Sequence, residues 1–499
     1  MSPNNAARRK FLRTASVVSG SVGAAAAPFA LNLASLGSAV AQPATGPYKA
    51  IVCLFMYGGN DSSHMVQRTD KTSFDVYTKM RTTGTDPIAL LGPGTPINNN
   101  AARGSPARLG GITAIAPKFT SGVLGSAENS AWTFGLHPSM PEVATLFGAG
   151  RLAIVGNAGP LVAPMTKSQW NANSVPRPRA LGSHNDQQSS WQALGPEGVK
   201  VGWGGHLGDL VASGNGNATF TSISVSGNAV FCAGDTVFQY QVGGGGAVQI
   251  AGLSGNLFNS SSAAATLKGI VTASNQNLFA DEYAGIVKRS VAAQATFQTA
   301  FAAGNATAPS QYLQPSTGQN QTNGLAQQLQ TVARIIAARG ALGANRQIFF
   351  VSMGGFDTHS NQNAGGADLL ARVSHAIGYF DTALANLGGA DLRSNVTLFT
   401  ASDFGRTLNS NGDGTDHGWG ASHFVSGGAV NGGEIYGRFP EFGPQGIDSI
   451  GDRYLPVLSV DQIGATVGKW FGASSSQLNT IFPNLPNFTT ADLGFLKAL

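Results

Sequence analysis

The sequence predicts an α/β fold in which a central, mostly parallel sheet is flanked by helices on both faces. Short apolar segments rich in β-branched and aromatic residues, such as 50–57 and 347–352, are typical of strands buried on both faces. Segments with helical periodicity, such as 325–339 and 367–387, come between such strands. Long helices that alternate with buried strands favour a parallel sheet covered by two helical layers.

The individual elements are predicted in order along the chain. Strands are predicted at 50–57, 151–155, 347–352, 396–400 and 423–426. Helices are predicted at 138–147, 263–303, 325–339 and 367–387. Short strands and turns, with a small antiparallel excursion, are expected at 218–250. Residues 80–130 and 158–192 are polar or rich in Gly, Pro and Asn, and are predicted to form long loops.

The N-terminal segment has the three parts of an export signal. Arg8-Arg9 lies in a basic start, residues 14–37 are rich in Ala, Gly, Ser and Val, and Ala39-Val40-Ala41 offers a small-residue cleavage site. The paired arginines select the twin-arginine route. We therefore expect residues 1–41 to be a signal peptide, residues 42–499 to form a single domain, and the mature protein to be periplasmic or secreted.

The charge of the expected mature chain is close to balanced. Four of the 30 basic residues lie before residue 42, which leaves 26 basic against 25 acidic residues. This balance argues against nucleic acid or an anionic membrane surface as the partner. No later apolar segment has the ~20 residues that a spanning helix needs, so no membrane segment is expected in the mature protein. Cys53 lies within an apolar strand and is expected in the core rather than in a disulfide with Cys232.

Polar, glycine-flanked clusters follow the predicted strands. Asp61 follows the first strand, and Asp403 follows the strand at 396–400. In an open α/β sheet, ligands bind at the carboxyl ends of the strands. Carboxylates and imidazoles gathered there need a cation, or specific hydrogen bonds, to offset their repulsion. A single Asp after a strand is usually a turn former or helix cap, but four clusters in one chain favour a binding site.

The spacing of Asp357 and His359 favours a metal site. They are separated by one residue, so both side chains point to the same side of an extended strand end. A histidine from another loop would complete a three-residue set. Such Asp and His ligands are typical of zinc and similar divalent metals.

Several of these clusters, with other short motifs, resemble the domain-of-unknown-function 1501 family. The motifs run in the family's order over nearly the whole mature chain. They lie at 136–138, 183–187, 354–362, 402–407, 414–420, 471–472 and 482–485. Together they are highly specific for the family.

The family in turn resembles a branch of the alkaline phosphatase superfamily. This resemblance implies an alkaline-phosphatase-like fold and a divalent metal cofactor, with zinc expected first and manganese or calcium as alternatives. It implies that Asp357 and His359 hold one metal together with His417. It also implies that Asp61 is the first metal-binding aspartate and that Asp403 holds the other metal.

Two departures from the superfamily pattern bear on the metal sites. The Asp and His of the first site are usually four residues apart, whereas here they are two apart. Phe404 stands where the superfamily usually has His or Asn, and its side chain cannot bind metal. The second site is therefore either incomplete or completed by His184 or Asp186.

The nucleophile is not uniquely marked by the sequence. Ser183 precedes a likely helix start, where backbone N–H groups can bind an oxyanion, although its role as an N-cap is the simpler explanation. Thr166 and Ser62 are alternatives. The sulfatase signature, in which Cys or Ser is followed by x-Pro-x-Arg, occurs at neither cysteine, which argues against a formylglycine sulfatase.

Arg406 is a candidate for binding the substrate anion through two parallel hydrogen bonds. A surface ion pair is the alternative for this arginine. His137, His423 and Asp416 are candidates for orienting the metal ligands rather than binding the metal themselves.

The combined prediction is an exported, metal-dependent hydrolase of phosphate esters or related oxyanion esters, with a small-molecule or polymer substrate. The alternative is a non-catalytic secreted protein that keeps the fold and a partial metal site and acts in binding or assembly. The set of Asp357, His359 and His417 favours the hydrolase. Phe404 and the unmarked nucleophile favour the alternative. A mutase or transferase on the same scaffold is a third candidate.

Overall fold

The computed structural model describes residues 46–253 and 255–497. The expected signal peptide therefore lies outside the described residues. Among the helices in the described ranges, none is long and apolar enough to cross a membrane.

The elements are numbered along the described chain. The strands are β1 Lys49–Met56, β2 Val66–Arg68, β3 Thr113–Ile115, β4 Phe134–Leu136, β5 Leu152–Gly159, β6 Ser222–Ser224, β7 Tyr240–Gly243, β8 Gly246–Ala247, β9 Tyr312–Gln314, β10 Gln319–Gln321, β11 Arg346–Met353, β12 Val396–Ser402, β13 Ala421–Ser426, β14 Ile435–Tyr436, β15 Ser449–Ile450, β16 Arg453–Tyr454 and β17 Leu458–Ser459. The helices are α1 Ser62–Met65, α2 Lys71–Arg81, α3 Pro106–Leu109, α4 Ser126–Asn129, α5 Pro141–Gly148, α6 Lys167–Ala172, α7 His184–Ala193, α8 Trp203–Val211, α9 Ser261–Val271, α10 Leu278–Ala303, α11 Gly324–Ala337, α12 Gln362–Ala385, α13 Val460–Phe471 and α14 Ser475–Ile481.

A ten-stranded sheet forms the centre of the fold. Its strand order is β14-β5-β13-β12-β1-β11-β6-β7-β8, and β17 also pairs with β5. The strands from β12 to β7 in this order are parallel, whereas β13 is antiparallel to both of its neighbours. In the segment predicted as a small antiparallel excursion, β6 and β7 instead extend the parallel sheet, and β8 alone runs antiparallel to β7.

Helices cover both faces of this sheet, because alternate residues of a strand point to opposite sides. In β1, Val52 and Leu54 belong to one apolar cluster, whereas Ile51 and Phe55 belong to another. Residues of α5, α11, α12 and the C-terminal part of α10 cover the first cluster, and residues of α8, α13 and α14 cover the second. The predicted mostly parallel sheet between two helical layers is thus confirmed. Cys53 is a buried free thiol in the second cluster, as expected, and Cys232 is also a buried free thiol.

Some element boundaries differ from the predicted ones for local reasons. The segment 263–303 forms two helices, because the side chain of Asn277 accepts hydrogen bonds from two backbone N–H groups of α10 and starts a new helix. The helix predicted from residue 138 begins at Pro141, since the first helical position tolerates the missing N–H of proline.

The two segments predicted as long loops also contain short elements. Residues 80–130 include α3, β3 and α4, and residues 158–192 include α6 and most of α7. The start of α7 after Ser183 was predicted, but its extent was missed because the helix is polar. Its buried positions include Gln187, Ser189 and Gln192, with Trp191 as the large apolar side chain among them. This helix matters for function because it begins with His184.

Candidate metal centre

The candidate site lies at the carboxyl ends of three adjacent parallel strands. Met56, at the end of β1, is in register with Met353 at the end of β11 and with Ser402 at the end of β12. The polar clusters that follow these strands therefore meet at one edge of the sheet, as the sequence predicts. The loop between β12 and β13 and the first residue of α7 close the site from the side.

Three imidazoles converge on the carboxylate of Asp357. The Nε2 atom of His359 lies 3.0 Å from Oδ1 of Asp357, and the Nε2 atom of His417 lies 3.2 Å from the same oxygen. The Nε2 atom of His184 lies 3.5 Å from Oδ2. The Nε2 atoms of His359 and His417 are only 3.0 Å apart.

The other ring nitrogen of each histidine faces an oxygen. Nδ1 of His417 lies 2.7 Å from the carbonyl oxygen of Gly182, which can only accept a hydrogen bond. Nδ1 of His184 lies 2.7 Å from Oδ2 of Asp403, and Nδ1 of His359 lies 2.9 Å from Oδ1 of Asp416. These oxygens favour the tautomer with hydrogen on Nδ1, so the neutral rings present their Nε2 lone pairs to one another and to Asp357.

The residues of this cluster could hold a divalent metal such as zinc. Two nitrogen ligands of tetrahedral zinc, each bonded at ~2.0–2.1 Å, lie about 3.3 Å apart. The three distances from the imidazoles to Asp357 and the distance between His359 and His417 run from 3.0 to 3.5 Å, and the donors of His184, Asp357 and His417 all lie within 4.8 Å of one another. Lone pairs that face each other at such distances are favourable only with a proton or a cation between them. Hydrogen-bonded outer nitrogens are also the usual environment of metal-binding histidines.

The cluster is open to solvent on one side and closed on the other. The side chains of His184, Asp357, His359 and His417 are 31, 42, 44 and 26 % exposed. Below them, Phe404 is buried, and its ring lies 4.9 Å from that of His184 and 4.6 Å from that of His417. Phe404 thus forms an apolar floor beneath two of the imidazoles. An open face of this kind leaves access for a substrate.

Asp403 contacts the cluster through His184, and the metal-ligand role that the resemblance implies for it stays a prediction. It is fully buried, and its Oδ2 accepts hydrogen bonds from His184 and from Gln188 at 2.8 Å. Its Oδ1 has no hydrogen-bond partner among the described residues. His184, which the sequence offers as part of a second site, instead joins Asp357 and His417 in a single cluster.

Arg406 differs from the anion clamp that the sequence predicts. Its guanidinium is fully buried, donates to Oδ1 of Asp357 at 2.6 Å, and also donates to the backbone oxygens of Gly58 and Thr415. Partial burial raises the pKa of Asp357, but the adjacent guanidinium outweighs this effect and lowers the pKa below its usual value. Arg406 therefore contacts Asp357 from the protein interior and keeps it ionised and fixed, with its own N–H groups turned away from solvent.

Asp61 lies in a separate buried ion pair. Its Oδ2 accepts hydrogen bonds from Arg81 and, at 2.6 Å, from Gln362, while its Oδ1 accepts from Arg81 and from the N–H of Ser63. With both oxygens bonded to protein donors, Asp61 serves as a helix cap and structural ion-pair partner. The role as first metal ligand that the resemblance implies for Asp61 stays a prediction.

The predicted nucleophile has a structural role as well. Ser183 is the N-cap residue of α7, and its hydroxyl donates to Asp186 at 2.7 Å. Thr166 forms a capping box with Gln169 at the start of α6. Ser62 is buried within α1. None of these three hydroxyls has a histidine as a hydrogen-bond partner among the described residues.

Of the three residues expected to orient ligands, only Asp416 is hydrogen-bonded to the cluster. His137 is buried beside the ring of His64, and burial lowers its pKa well below the usual value. His423 lies in β13 against Trp191, and burial lowers its pKa to about 3. Both are neutral core histidines.

A second group of one His and two Asp residues has donor atoms within 4.8 Å of one another in the described ranges. It consists of His206, Asp209 and Asp235. The carboxylate of Asp209 already accepts hydrogen bonds from the backbone N–H groups of Asp235, Thr236 and Val237. This group is therefore explained as the anchor of a turn.

We expect Asp403→Asn to weaken metal binding about 10- to 100-fold, the usual cost of removing an outer-shell carboxylate. The reason is that Asp403 fixes the ring of His184 from a fully buried position. Asp416→Asn is the matched control, since Asp416 makes the same kind of contact with His359 but is 59 % exposed. Titration of the metal-free proteins with zinc would measure both. Equal affinities for Asp403→Asn and wild type would contradict the supporting role.

We expect Gly58→Ala to disturb both the fold and the site. Gly58 has φ +116°, and a Cβ there would lie 2.4 Å from the backbone nitrogen of Asp357. Gly472→Ala is the control, because Gly472 has a similar φ of +122° but open space around it. The backbone strain of ~1–2 kcal/mol is then common to both variants. Chemical denaturation should show that Gly58→Ala lowers the free energy of unfolding by at least ~1 kcal/mol more than Gly472→Ala does, since overpacking costs about that much. Equal losses would rule out the steric effect.

Comparisons with known proteins identify the family. No curated protein matches the chain. A solved structure whose title concerns the metabolism of multiple glycosaminoglycans by Bacteroides thetaiotaomicron is similar at 10 % identity, with a TM-score of 0.33, over 87 % of this chain and 74 % of that chain. A similarity at this level carries no argument about function. The family model described as "Protein of unknown function (DUF1501)" matches residues 48–450, and the chain therefore belongs to the DUF1501 family.

Proposed function

We propose that this protein is an exported, metal-dependent hydrolase of phosphate esters or related oxyanion esters. The observation that carries the proposal is the convergence of three imidazole Nε2 atoms on the carboxylate of Asp357 at 3.0–3.5 Å. Such a set of electron-pair donors favours a cation between them. It lies at the carboxyl edge of the sheet, where α/β proteins bind their ligands.

In this proposal His184, Asp357 and His417 hold the metal. Imidazole with one carboxylate suits zinc well and manganese less well, whereas calcium prefers six to eight oxygen ligands. When bound, the ion would supply Lewis-acid polarisation of the ester oxyanion and of the attacking water. Three protein ligands leave a position for substrate, as in catalytic rather than structural zinc sites.

The remaining residues of the site would orient the ligands and move a proton. Arg406 holds Asp357, and Asp403 holds His184, so that both ligands are fixed before substrate arrives. His359 is the most exposed imidazole of the cluster, and its Nδ1 lies 2.9 Å from Oδ1 of Asp416, which fixes the orientation of the ring. We assign to His359 the transfer of a proton at Nε2 to the departing alcohol.

We expect His359→Ala to lower kcat by at least ~100-fold, because general acid catalysis contributes 10²–10⁴-fold. The variant should keep one metal per chain, since His184, Asp357 and His417 are unchanged. Metal analysis beside a rate measurement distinguishes the roles of His359. If the metal is lost together with the activity, His359 is a ligand and not a proton donor.

Water is the proposed nucleophile. The hydroxyl of Ser183 is bonded to Asp186, and that of Thr166 belongs to a helix cap. A cavity of about 630 Å³ adjoins His359 and His417 and provides space for the alcohol part of an ester. The substrate class is therefore a soluble or polymer-borne ester with an anionic head.

We also propose the boundaries and location that the N-terminal sequence predicts. Residues 1–41 would direct export by the twin-arginine route, and the mature protein would be periplasmic or secreted. Residues 42–499 would form a single alkaline-phosphatase-like domain. The participation of residues from β1 to β17 in one central sheet supports a single domain.

A non-catalytic binding or assembly protein is the second candidate. The observation that favours it is Phe404, which fills the floor of the cluster where a second metal site would need a polar ligand. A protein with one metal and no second site could use the metal to hold a partner or to stabilise the loops.

The test combines metal analysis with a substrate panel. The mature protein is purified from the periplasm without chelator, and its metal content is measured. Phosphate monoesters, phosphate diesters and sulfate esters are then offered with zinc, manganese or calcium, beside a chelator-treated sample. Metal-dependent turnover of one ester class supports the hydrolase. Stoichiometric metal without turnover of any ester favours the second candidate. A folded protein that binds no metal, even after divalent ions are added back, overturns the hydrolase and leaves the second candidate as the better one.

A further inference from the structure

Helix α10 leaves the N-terminal half of its apolar stripe uncovered. Four large side chains in this half are 48–85 % exposed: Leu278, Phe279, Tyr283 and Ile286. On a helix of 3.6 residues per turn they fall within the same ~140° arc as Phe297 and Phe301. Phe297 and Phe301 are at most 2 % exposed and pack in the core. The stripe that anchors the C-terminal half of α10 thus continues into solvent.

A groove runs beside this exposed half. Its volume is about 760 Å³, and it lies between α10 and the segment 238–253. Its apolar lining includes Phe238, Tyr240, Val248, Ile250, Leu253 and Ile286. Phe238 is 82 % exposed and Val248 is 63 % exposed. Contiguous exposed apolar surface of this kind marks an interaction site on a protein.

The charges along the stripe are arranged symmetrically. Glu282 and Arg289 lie inside the apolar arc, ~40° and ~20° around the helix from Leu278. They are 64 and 66 % exposed, and they bond to each other at 2.7 Å. The point midway between them along the helix lies between Gly285 and Ile286. If a second α10 packs in the opposite direction, Glu282 of each copy therefore meets Arg289 of the other. The surface is complementary to itself, as a two-fold interface requires.

We propose that the protein forms a homodimer through antiparallel packing of the N-terminal halves of α10. The two-fold axis passes near Ile286, and Phe279 of each copy enters the groove of the other beside Ala293, which also lines it. A membrane surface is a poorer occupant, because Asp281 and Glu282 balance Lys288 and Arg289 on this half of the helix.

The first test measures the molar mass in solution. Light scattering after size exclusion, with sedimentation velocity over a range of concentrations, should give a dimer for the mature wild type. Phe279→Asp should raise the dissociation constant at least tenfold. Leu313→Asp is the matched control, because Leu313 is 63 % exposed but lies on β9, outside the surface. A wild type that is monomeric at all concentrations, or equal weakening by both variants, overturns the proposal.

A charge exchange tests the symmetry directly. Glu282→Arg or Arg289→Glu alone places like charges across the interface and should weaken the dimer at least tenfold. The double variant Glu282→Arg/Arg289→Glu restores the pairing and should recover the wild-type dissociation constant. A double variant no better than the single ones contradicts the antiparallel arrangement. Unchanged metal content and circular dichroism would show that each variant is folded.

Cross-linking and vesicles complete the test. Ile286→Cys places a thiol beside the two-fold axis, so mild oxidation should give a disulfide-linked dimer that Phe279→Asp abolishes. Mature protein is also mixed with vesicles of phosphatidylcholine and phosphatidylglycerol. Binding of a monomer to these vesicles, with no dimer in their absence, would overturn the proposal in favour of a membrane-binding surface.

Discussion

Replacing His417 with alanine is expected to abolish stoichiometric metal binding and to lower the rate of hydrolysis at least ~100-fold. Loss of a residue that only orients a metal ligand lowers metal affinity or activity about 10- to 100-fold, so loss of a ligand itself should cost at least the upper value. The reason is geometric: His417 supplies one of three donors that all lie within 4.8 Å of one another. Its ring is also the least exposed of the three imidazoles and is fixed by the carbonyl of Gly182 at 2.7 Å. Mass spectrometry of the metal content and a rate measurement at saturating substrate would test both parts.

His206→Ala is the matched control for this experiment. The side chain of His206 is 31 % exposed, close to His417 at 26 %, and it belongs to the second His and Asp group. We expect His206→Ala to keep the metal and the activity, because Asp209 is already bonded to the turn at 235–237. If His206→Ala removes the metal and His417→Ala does not, the metal lies in the second group and the proposed function is wrong.

The sheet could be predicted from the sequence because its buried strands are apolar on both faces. Most residues of β1, β11 and β12 are apolar and buried, and charged side chains occur only at the first positions of β1 and β11, Lys49 and Arg346. The helices next to these strands have clear periodicity. The same argument placed Asp357 and His359 at the site, since the carboxyl ends of parallel strands share an edge. His417 was predicted from the resemblance and its loop position, and it meets both residues.

The outer contacts of the site could not be predicted in this way. The carbonyl of Gly182 has no signal in the sequence, because every residue carries a carbonyl. Arg81 lies on a helix between the first strand and a loop, and nothing local marks it as the partner of Asp61. His184 was predicted as part of a second metal site, since sequence spacing does not say towards which cluster the first turn of α7 points. Pairings of this kind depend on tertiary packing.

Breaking the buried ion pair of Asp61 and Arg81 is expected to have the second large effect, a loss of protein stability. We expect Asp61→Asn or Arg81→Met to lower the free energy of unfolding by about 3–5 kcal/mol, because each leaves a buried charge without its partner. The side chain of Arg81 is fully buried and that of Asp61 is 6 % exposed. Arg81 also donates to the backbone oxygens of Thr407 and Leu408, so the pair joins α2 to the loop after β12. Urea denaturation of the variants would measure the loss.

The double variant Asp61→Leu/Arg81→Met is the control for the charge effect. Replacing both partners by apolar groups leaves no unpaired charge, so the double variant should be more stable than either single variant. All three proteins should keep the metal when folded, since Asp61 is bonded to Arg81 and Gln362 and does not belong to the cluster. If Asp61→Asn loses the metal as His417→Ala does, then Asp61 is a ligand, as the family resemblance implies.

Acid should weaken the same ion pair in a defined pH range. Burial raises the pKa of Asp61, but the Arg81 guanidinium outweighs it and lowers the pKa to about 2, against 3.8 for an ordinary aspartate. The unfolded chain therefore binds the proton first as the pH falls. The contribution of about 2 kcal/mol is fully present above pH ~4 and is lost as the pH falls towards 2. Measurements on the metal-free His417→Ala background separate this loss from metal release. In that background the free energy of unfolding of Asp61→Asn should depend less steeply on pH between pH 4 and 2. An equally steep dependence would mean that another group causes the loss of stability in acid.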